Sequence, residues 1–488
     1  MSGPVANETG RDLNMGRDSS WLIGADILAV FLALIGQVVL TRALITEDYG
    51  IFIIALDVFA TTFLIIDLGL PTILTRDGAN CVNKIWEAIW RIYRIQFICM
   101  IPFIVMALFG VTIILDDWTS YFPVIVTCML VALAHIFSYA PRSGLRAAGY
   151  AWMEACTKVI ERLIAVAGYL ALYYLGSSSV ESYAIAFLIG ALLGLLSAIL
   201  LARFTLKPTS NNYQWRDLDE CWIDNKSLIL QSLPFAITLG ILPYVIRIEK
   251  FIVAGTMGVD SAALFHVAQI AWLAGLVVPQ ALRAALLPIL GQNRSDEKKF
   301  FNSIEKSLDL CFGILPIGLF GGALLIRFLL PIAFPEQYTD GSIGPSAVEL
   351  FMILLIGWCL TLLATPSYTA LQAGEKPWKF TLFIGFVVVF GTIIGFLLIG
   401  SMANSPTWGL YAAAIASTLS SAFLLLSSIH LAKLWVIVRQ RKTDFFSAVT
   451  LASITCFGFA TNSLLVLSGL VLFMFVPRGW RAILATDY

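Results

Sequence analysis

The fold of this chain is decided by residues 21–76, which read WLIGADILAVFLALIGQVVLTRALITEDYGIFIIALDVFATTFLIIDLGLPTILTR. Two apolar runs, residues 21–40 and 51–74, stand on either side of a short acidic turn at residues 45–50. A helix of about 20 apolar residues crosses the roughly 30 Å of hydrocarbon in a bilayer. Each run therefore predicts a membrane-spanning helix, and so short a connection predicts that the two helices are antiparallel neighbours.

The composition extends this interpretation to the whole chain. Hydrophobic residues make up 59% of the 488 residues and charged residues 13%, against roughly half and roughly a quarter in soluble domains. Most of the chain is therefore expected to lie in the lipid bilayer. The formal net charge of zero argues against nucleic acid as a partner.

Several chemistries are disfavoured by what the sequence lacks. It contains no GxxxxGKS or GxxxxGKT motif, so we expect no ATP hydrolysis by the chain itself. The eight cysteines are scattered without a CxxC pair, and the three histidines are isolated. This pattern argues against a metal site, a disulfide framework or a bound cofactor. The sequence therefore shows no ATPase motif and no pattern of metal ligands of its own.

The hydropathy pattern predicts fourteen membrane spans. They cover residues 21–40, 51–74, 95–115, 121–139, 156–175, 182–202, 228–254, 262–290, 308–330, 347–371, 380–400, 408–432, 445–461 and 462–476. If the N-terminus is cytoplasmic, the loops on that side and the two termini hold 26 of the 31 Lys and Arg residues, in agreement with the positive-inside rule. Both termini are therefore expected in the cytoplasm, in a multi-pass protein of the cytoplasmic membrane.

Two short sequence matches indicate an internal duplication. Residues 49–55 (YGIFIIA) correspond to residues 262–268 (AALFHVA), 213 positions later. Residues 144–149 (GLRAAG) correspond to residues 369–374 (TALQAG), 225 positions later. Both pairs lie six spans apart, and an even number of spans gives the two halves the same topology. The predicted fold is all-α, with two six-helix lobes in a parallel repeat, facing a central cavity, plus a C-terminal helix pair.

The domain boundaries follow from this duplication and from the longest polar segment. That segment divides the chain near its middle and is typical of an interdomain linker. The predicted parts are a disordered cytoplasmic N-terminus (1–20), an N-lobe (21–204), a cytoplasmic linker (205–227), a C-lobe (228–432) and the C-terminal pair with its tail (433–488).

The opening helices also carry a family resemblance. A first helix that ends in Arg42, the turn Glu47-Asp48-Tyr49-Gly50 and a second helix that ends in Asp67-Leu68-Gly69-Leu70 resemble the start of the polysaccharide flippases of the O-antigen type. These belong to the multidrug/oligosaccharidyl-lipid/polysaccharide exporter superfamily. The resemblance implies a flippase that moves a lipid-linked oligosaccharide, on polyprenyl phosphate or pyrophosphate, across the cytoplasmic membrane by alternating access. Surface polysaccharide biosynthesis is the implied process, with a glycan polymerase or glycosyltransferases as implied partners.

Two other functions stay open on the sequence. One is a cation-coupled multidrug exporter of the same superfamily, and the other is a polytopic membrane glycosyltransferase or polymerase. For the enzyme, Asp116-Asp117 is the outer acidic pair that resembles a catalytic motif. The lipid II branch of the superfamily places several Arg residues within its first two spans, whereas this chain has Arg42 alone there. That difference argues against a peptidoglycan precursor as substrate.

Ionisable side chains inside the spans mark candidate sites, because a charge in the membrane interior is costly. Asp26 and Asp57 lie within the first two spans and are candidates for binding a coupling H+ or Na+, or for balancing cations in the cavity. Gln37 lies eleven residues after Asp26 and on nearly the same helix face. For this polar stripe, hydrogen bonding between helices is the alternative interpretation.

The seventh span contains Pro234, Gly240 and Pro243, which predict a kink. It also holds the charged cluster Arg247-Ile248-Glu249-Lys250. Arg247 and Lys250 are three residues apart and share a helix face, while Glu249 lies on another. Under the flippase interpretation both cations bind the anionic head group, together with Arg283 of the eighth span. Snorkelling of these side chains to the interface is the alternative. Glu249 joins the candidate coupling carboxylates, and His266 is a candidate proton relay.

A second group of charges stands before and within the fifth span. Arg146 and Arg142 flank its predicted cytoplasmic mouth, where they either collect an anionic substrate or set the topology. Glu154, Lys158 and Arg162 follow at i,i+4 spacing. A solvated ladder of ion pairs is a sufficient explanation for these three.

Overall fold

The structure is a computed structural model that describes residues 15–77, 84–115, 118–206, 225–293, 296–342, 344–374 and 377–484. Throughout these ranges the chain is helical, without a β-strand. Residues 1–14, most of the predicted linker and the Asp116-Asp117 pair lie outside the described residues. The chain divides into two compact units, Met1–Gly240 and Ile241–Tyr488.

The first unit is built from helices α1 to α8, of which α8 ends one residue beyond the division. Their bounds are α1 Met15–Ala43, α2 Thr46–Phe63, α3 Leu70–Asp77, α4 Ile85–Ile114, α5 Phe122–Ala147, α6 Ala151–Tyr174, α7 Val180–Leu206 and α8 Asn225–Ile241. Helix α1 begins at Met15, inside the segment that the sequence analysis predicts to be disordered.

The second unit contains helices α9 to α19. Their bounds are α9 Tyr244–Met257, α10 Val259–Gly275, α11 Val277–Gln292, α12 Glu297–Ala333, α13 Ala347–Gln372, α14 Pro377–Met402, α15 Pro406–Leu431, α16 Trp435–Gln440, α17 Lys442–Thr461, α18 Ser468–Leu472 and α19 Val476–Leu484. The C-terminal helices pack within this unit, where α17 contacts α13 and α19 contacts α12.

The same pattern of helix packing occurs in both units. In the first unit α5 packs against α2, α4 and α7, and α6 packs against α1 and α7. In the second unit α13 packs against α10, α12 and α15, and α14 packs against α9 and α15. Pro141 within α5 and Pro366 within α13 lie 225 positions apart, which is the offset of the second sequence match. The predicted duplication is confirmed by this correspondence.

Eleven helices in the described residues are long and apolar enough to cross a membrane. The predicted spans that are not among them lie at residues 51–74, 156–175 and 228–254. The first and last of these are each divided between two shorter helices, and α6 carries several charged side chains. The all-α membrane fold is confirmed, whereas the count of fourteen spans stays a prediction.

The second predicted span is not one continuous helix, so this expectation was wrong. Helix α2 ends at Phe63 and α3 begins at Leu70. Between them Leu68 and Gly69 adopt φ values of 51° and 65°, a left-handed conformation that cannot continue a right-handed helix. The break places Asp67 at the point where the chain changes direction.

The seventh predicted span is interrupted as its prolines predict. Helix α8 ends at Ile241 and α9 begins at Tyr244, with Pro243 immediately before it. Proline has no N–H group to donate to the preceding turn, which favours an interruption of the helix at this position. The kink expected from the sequence is confirmed.

Helix α3 is fixed in place by an apolar core at the end of the first unit. Leu70, Ile73 and Leu74 are buried there against Ile85 and Ile89 of α4. In a bilayer such contacts stabilise the structure through close van der Waals packing. This packing holds the remaining face of α3 toward a polar cavity.

Candidate functional site

The first unit contains a cavity of about 590 Å³ beside the C-terminal end of α5 and the N-terminal end of α6, next to the break between α2 and α3. Three cations and two carboxylates contribute to its lining, so the formal charge of these five side chains is +1. The lining residues are Leu64, Asp67, Pro71, Thr72, Ile73, Thr75, Tyr139, Arg142, Ser143, Arg146, Glu154, Lys158 and Leu239.

Glu154 connects α5 and α6 at one side of this cavity, and its neighbour Lys158 extends the connection to α1. Its carboxylate accepts two hydrogen bonds from the guanidinium of Arg146, one of them at 2.7 Å from Nε. Lys158 Nζ lies 3.4 Å from the same carboxylate and 2.9 Å from Asp26 Oδ1. Glu154 is only 1% exposed. The chain from α5 through α6 to α1 is therefore held by buried and half-buried ion pairs.

A second carboxylate, Glu161, lies deeper along α6. It is ten residues after the first residue of α6, which corresponds to about 15 Å along the helix axis. Arg142 Nη2 donates to Glu161 Oε2 at 2.8 Å, and Arg142 Nε donates to the Thr157 hydroxyl at 3.0 Å. On the other side, His135 Nε2 lies 2.9 Å from Glu161 Oε1. Arg162 Nε lies 3.8 Å from the same Oε1 atom, so each carboxylate oxygen of Glu161 has an Arg side chain nearby.

These contacts correct the interpretation of the α6 charges as a solvated ladder. Glu154 and Glu161 are buried, and Arg142 is buried with them. An ion buried away from water is tolerated only when paired and hydrogen-bonded. The burial also argues against Arg142 being a solvated charge that serves topology alone.

Small residues allow α7 to approach α6 beside Glu161. Gly190 and Gly194 are four residues apart on α7. A Cβ atom at Gly190 would lie 2.9 Å from the Glu161 carbonyl oxygen, and one at Gly194 would lie 2.7 Å from the Glu161 Cβ. Such small-xxx-small patterns permit close packing of membrane helices. The position of Glu161 therefore depends on both glycines.

The two aspartates predicted as coupling residues occupy different environments. Asp26 is largely exposed and lies beside Lys158. Asp57 is buried within α2, and its carbonyl oxygen accepts a hydrogen bond from Thr61. Gln37, which shares a face with Asp26, accepts a hydrogen bond of 2.7 Å from the Tyr49 hydroxyl of α2. For Gln37 the structure therefore supports helix–helix hydrogen bonding.

In the second unit the cluster on α9 is directed into the protein. Lys250 is 1% exposed, and its Nζ lies 2.9 Å from His266 Nδ1 on α10. Because a hydrogen bond needs an acceptor, one of these two nitrogens must lack a proton. Glu249 is fully buried on another face, where the Ser420 hydroxyl of α15 donates to it at 3.4 Å. Arg247 is half-buried. Because the Lys250 side chain is buried, it does not extend to the membrane interface by snorkelling.

Arg283 lines a separate, smaller pocket of the second unit, with a volume of about 110 Å³. Polar groups from Gln280, Thr361 and Ser421 and aromatic rings of Trp272 and Tyr368 also contribute to its lining. Neither Arg247 nor Lys250 is among the residues that line it. Among the described residues, this pocket therefore contains one of the three cations that the sequence predicts for the second unit.

Of the residues that line the larger cavity, Arg146 was predicted from the sequence to bind the substrate, and Arg142 either to collect it or to set the topology. The prediction from sequence was incomplete. It missed Asp67 entirely and assigned Glu154 and Lys158 no function. A signal was nevertheless present, because Glu154, Lys158 and Glu161 recur at i, i+4 and i+7 on α6. This spacing places all three on one helix face. Three charged side chains on one face of a predicted membrane span indicate that this face contacts polar groups of a neighbouring helix or a polar cavity.

Within the described residues no group of three or more His, Cys, Asp or Glu side chains is arranged to hold a metal ion. The chemistry of the cavity is that of guanidinium, ammonium and carboxylate groups. Arg forks recognise carboxylate and phosphate oxygens in pairs, and a Lys ammonium adds a point charge. The arrangement can therefore bind an anion that carries several oxygens.

The fold is shared with solved transporters. It is similar to the lipid II flippase MurJ in an inward closed conformation, with a TM-score of 0.61 and 12% identity over 95% of this chain and 99% of that one. An inward-facing multidrug resistance transporter of the MATE family, of the MOP superfamily, gives a TM-score of 0.57 and 13% identity over 84% of this chain and 96% of that one. At these identities the likeness shows the fold, which agrees with the predicted superfamily.

Sequence comparison places the chain within this class. It belongs to the polysaccharide biosynthesis protein family, whose model matches residues 15–293. A Shigella flexneri protein named "Putative O-antigen transporter" is 33% identical over 137 residues, which make up 28% of this chain and 31% of that protein. The alignment therefore spans less than one third of that relative. The family resemblance of the opening helices is confirmed.

Proposed function

We propose that this protein is a flippase that carries a lipid-linked oligosaccharide across the cytoplasmic membrane by alternating access, for surface polysaccharide biosynthesis. The substrate class is a sugar chain on polyprenyl phosphate or pyrophosphate. The protein family and the MurJ-like and MATE-like fold support a transporter of this kind. The larger cavity of the first unit supports the choice of an anionic substrate.

The observation that carries the proposal is the lining of that cavity. Arg142, Arg146 and Lys158 contribute three positive charges to a space of about 590 Å³, which accommodates a pyrophosphate with part of its first sugar. Each charge-assisted hydrogen bond to phosphate contributes about 1.5–3 kcal/mol. The polyprenyl chain would stay in lipid while the head group enters the polar cavity.

The second unit contributes candidate contacts of its own. We propose that Arg247, Lys250 and Arg283 contact the anionic head group or its sugars at another stage of the cycle. Arg283 has the aromatic and hydroxyl neighbours that sugars favour. Of the carboxylates that the sequence singles out, Glu249 remains proposed for a coupling H+ or Na+, and Asp26 and Asp57 are proposed to balance the cations of the cavity.

The proposed orientation has both termini in the cytoplasm, as the distribution of Lys and Arg predicts. In that orientation the cavity of the first unit opens toward the cytoplasm, because it lies at the end of α5 and the start of α6. A substrate assembled on the cytoplasmic leaflet would therefore meet Arg142, Arg146 and Lys158 first. Glycosyltransferases before the flippase and a glycan polymerase after it are the proposed partners.

The experiment that tests this function is depletion of the protein in its native cells, with the leaflet position of the labelled lipid-linked glycan measured. We expect the intermediates to accumulate on the cytoplasmic leaflet. Expression of the Arg142→Ala/Arg146→Ala double variant should not restore export, whereas Arg203→Ala, at the exposed end of α7, should.

Two other results would replace the proposal. Intermediates that reach the outer leaflet and stay unpolymerised there would indicate an enzyme, and Asp116-Asp117 would become the pair to change. An unaffected glycan, together with drug sensitivity after depletion, would indicate a multidrug exporter.

A further inference from the structure

Asp67 differs from the other carboxylates around the cavity of the first unit. It is 4% exposed, lies at the break between α2 and α3, and lines the cavity. Within the described part of the chain, the hydrogen bond to its carboxylate comes from the neutral amide of Gln96, at 3.4 Å. Glu154, in contrast, contacts Arg146 and Lys158, and Glu161 contacts Arg142 and Arg162. Among the residues that the structure describes, Asp67 is thus a buried carboxylate without a close cationic partner.

A carboxylate in this position favours taking up a cation. Burial penalises its charged form unless a positive charge approaches or a proton binds. The cavity gives solvent ions access to the carboxylate, and the interrupted helix provides irregular backbone beside it. In transporters, interrupted helices that line a cavity are typical sites for Na+ or H+. Asp26 lacks this environment because it is exposed and paired with Lys158.

We propose that Asp67 is the cation-binding carboxylate of the first unit, that it takes up one H+ or Na+, and that this uptake strengthens binding of the anionic head group in the same cavity. The proposal rests on the proposed flippase function. It assigns the coupling role to a residue that the sequence analysis did not consider.

The charge of the lining explains the coupling. With Asp67 ionised, the five charged side chains of the cavity sum to +1, and with Asp67 neutralised they sum to +2. A phosphate or pyrophosphate therefore binds the cation-loaded state more tightly. By linkage the bound anion raises the affinity for the cation by the same factor. The two ligands are expected to bind and leave together.

Other titratable groups face the same cavity from the neighbouring helices, so they also contribute to how binding in the cavity changes with pH. They are Tyr139, Arg142 and Arg146 from α5, and Glu154 and Lys158 from α6. Glu154 stays within its ion pairs with Arg146 and Lys158, so a response that belongs to Asp67 must be separated from one that belongs to Glu154. Variants at both positions make that separation.

The first test measures cation uptake without any lipid substrate, so that it does not depend on the proposed function. Purified protein in nanodiscs is studied by infrared difference spectroscopy between acidic and alkaline pH, and by equilibrium binding of ²²Na+. A protonated-carboxyl band or saturable Na+ binding is expected in the wild type and should be lost in Asp67→Asn. It should persist in Asp26→Asn and Glu154→Gln, and Asp67→Glu should restore it.

The second test measures binding of geranyl pyrophosphate, a soluble lipid pyrophosphate, over the same pH range with NaCl or choline chloride. A rise in affinity of about tenfold on cation uptake is expected in the wild type, against a constant, tight affinity in Asp67→Asn. A response to pH alone indicates H+, and a response to NaCl indicates Na+. Because pyrophosphate itself titrates, variants are compared with the wild type at equal pH.

Either test can overturn the inference. Unchanged cation uptake in Asp67→Asn, or none in the wild type, contradicts it even if geranyl pyrophosphate binds. A third outcome is cation uptake that depends on Asp67 while geranyl pyrophosphate does not bind at all. That result would support the cation site at Asp67, but it would reject both the proposed substrate class and the coupling of cation binding to lipid binding. Equal cation dependence of lipid binding in the wild type and Asp67→Asn rejects the coupling.

Discussion

Glu154 accepts two hydrogen bonds from Arg146 across the turn between α5 and α6, although Glu154 is almost completely buried. The turn contains Gly149, whose φ of 80° reverses the chain within a few residues. The ion pair therefore closes a helical hairpin at the mouth of the cavity. The same carboxylate is approached by Lys158, so the pair also sets the position of a second cation.

The first prediction concerns the stability of this hairpin. Glu154→Gln should lower the thermal stability of the purified protein, because two neighbouring cations lose their counter-charge, at a cost of about 1–3 kcal/mol. Thermal unfolding in detergent followed by tryptophan fluorescence measures the change. Glu181→Gln, an exposed change in the first turn of α7, is the control. Equal midpoints for the two variants would contradict a structural role of the pair.

The second prediction concerns the cations of the cavity. Arg142→Lys should reduce glycan export even though the positive charge is kept, because the single nitrogen of Lys does not reproduce the two separate nitrogens with which Arg142 donates to Thr157 and Glu161. Loss of one charge-assisted hydrogen bond corresponds to about a 10-fold to 100-fold change in affinity. Surface glycan per cell, at equal protein level, measures the effect. Full export by Arg142→Lys would show that its fork geometry is not required.

Much of the fold follows from the sequence because lipid imposes a length and a composition on each span. The hairpin of α1 and α2, the duplication and the interruption before Tyr244 were predicted from apolar runs, small-residue matches and prolines. The break at Leu68-Gly69 was not, since residues 64–70 read LIIDLGL, which hydropathy alone does not distinguish from a continuous span. A left-handed φ at Leu68 is set by the packing of α3, not by the identity of the residue.

The candidate site was harder to predict for a physical reason. Whether Glu154 and Glu161 face water or a neighbouring helix depends on contacts with residues of α5 and α7 that are distant in sequence. From the sequence alone, the Lys250 side chain could either face a cavity or extend to the membrane interface. The contact with His266 shows that the side chain is buried, but it does not show that it binds a substrate. The role of Arg247, Lys250 and Arg283 in binding stays a prediction.

The third prediction concerns the packing of α7 on α6. Gly190→Ala should destabilise the protein and weaken export, because the added methyl group would lie 2.9 Å from the Glu161 carbonyl oxygen and 3.0 Å from Ala165 Cβ. Overpacking of this kind costs about 1–3 kcal/mol. Gly385→Ala on α14, where a Cβ atom meets nothing within 4 Å, is the matched control. Equal midpoints of thermal unfolding for Gly190→Ala and Gly385→Ala would contradict a close contact between α6 and α7.

The fourth prediction separates folding from binding at Lys250. Lys250→Met should leave thermal stability equal or higher, because an apolar side chain of similar length replaces a buried polar one. Export of lipid-linked glycan should fall if the ammonium contacts the substrate. Lys299→Met, at a largely exposed position at the start of α12, controls for loss of charge. Normal export with unchanged stability would remove Lys250 from the proposed binding site.

The most direct measurement of the central claim is transport by the purified protein. Proteoliposomes that contain the protein and a labelled polyprenyl-pyrophosphate sugar are treated with a membrane-impermeant enzyme that cleaves only the outer-leaflet substrate. A flippase should make nearly all of the label accessible within the assay, whereas empty liposomes and the Arg142→Ala/Arg146→Ala variant should stop near one half. If the wild-type protein also stops near one half, under each H+ and Na+ gradient applied, the protein does not flip this class of lipid.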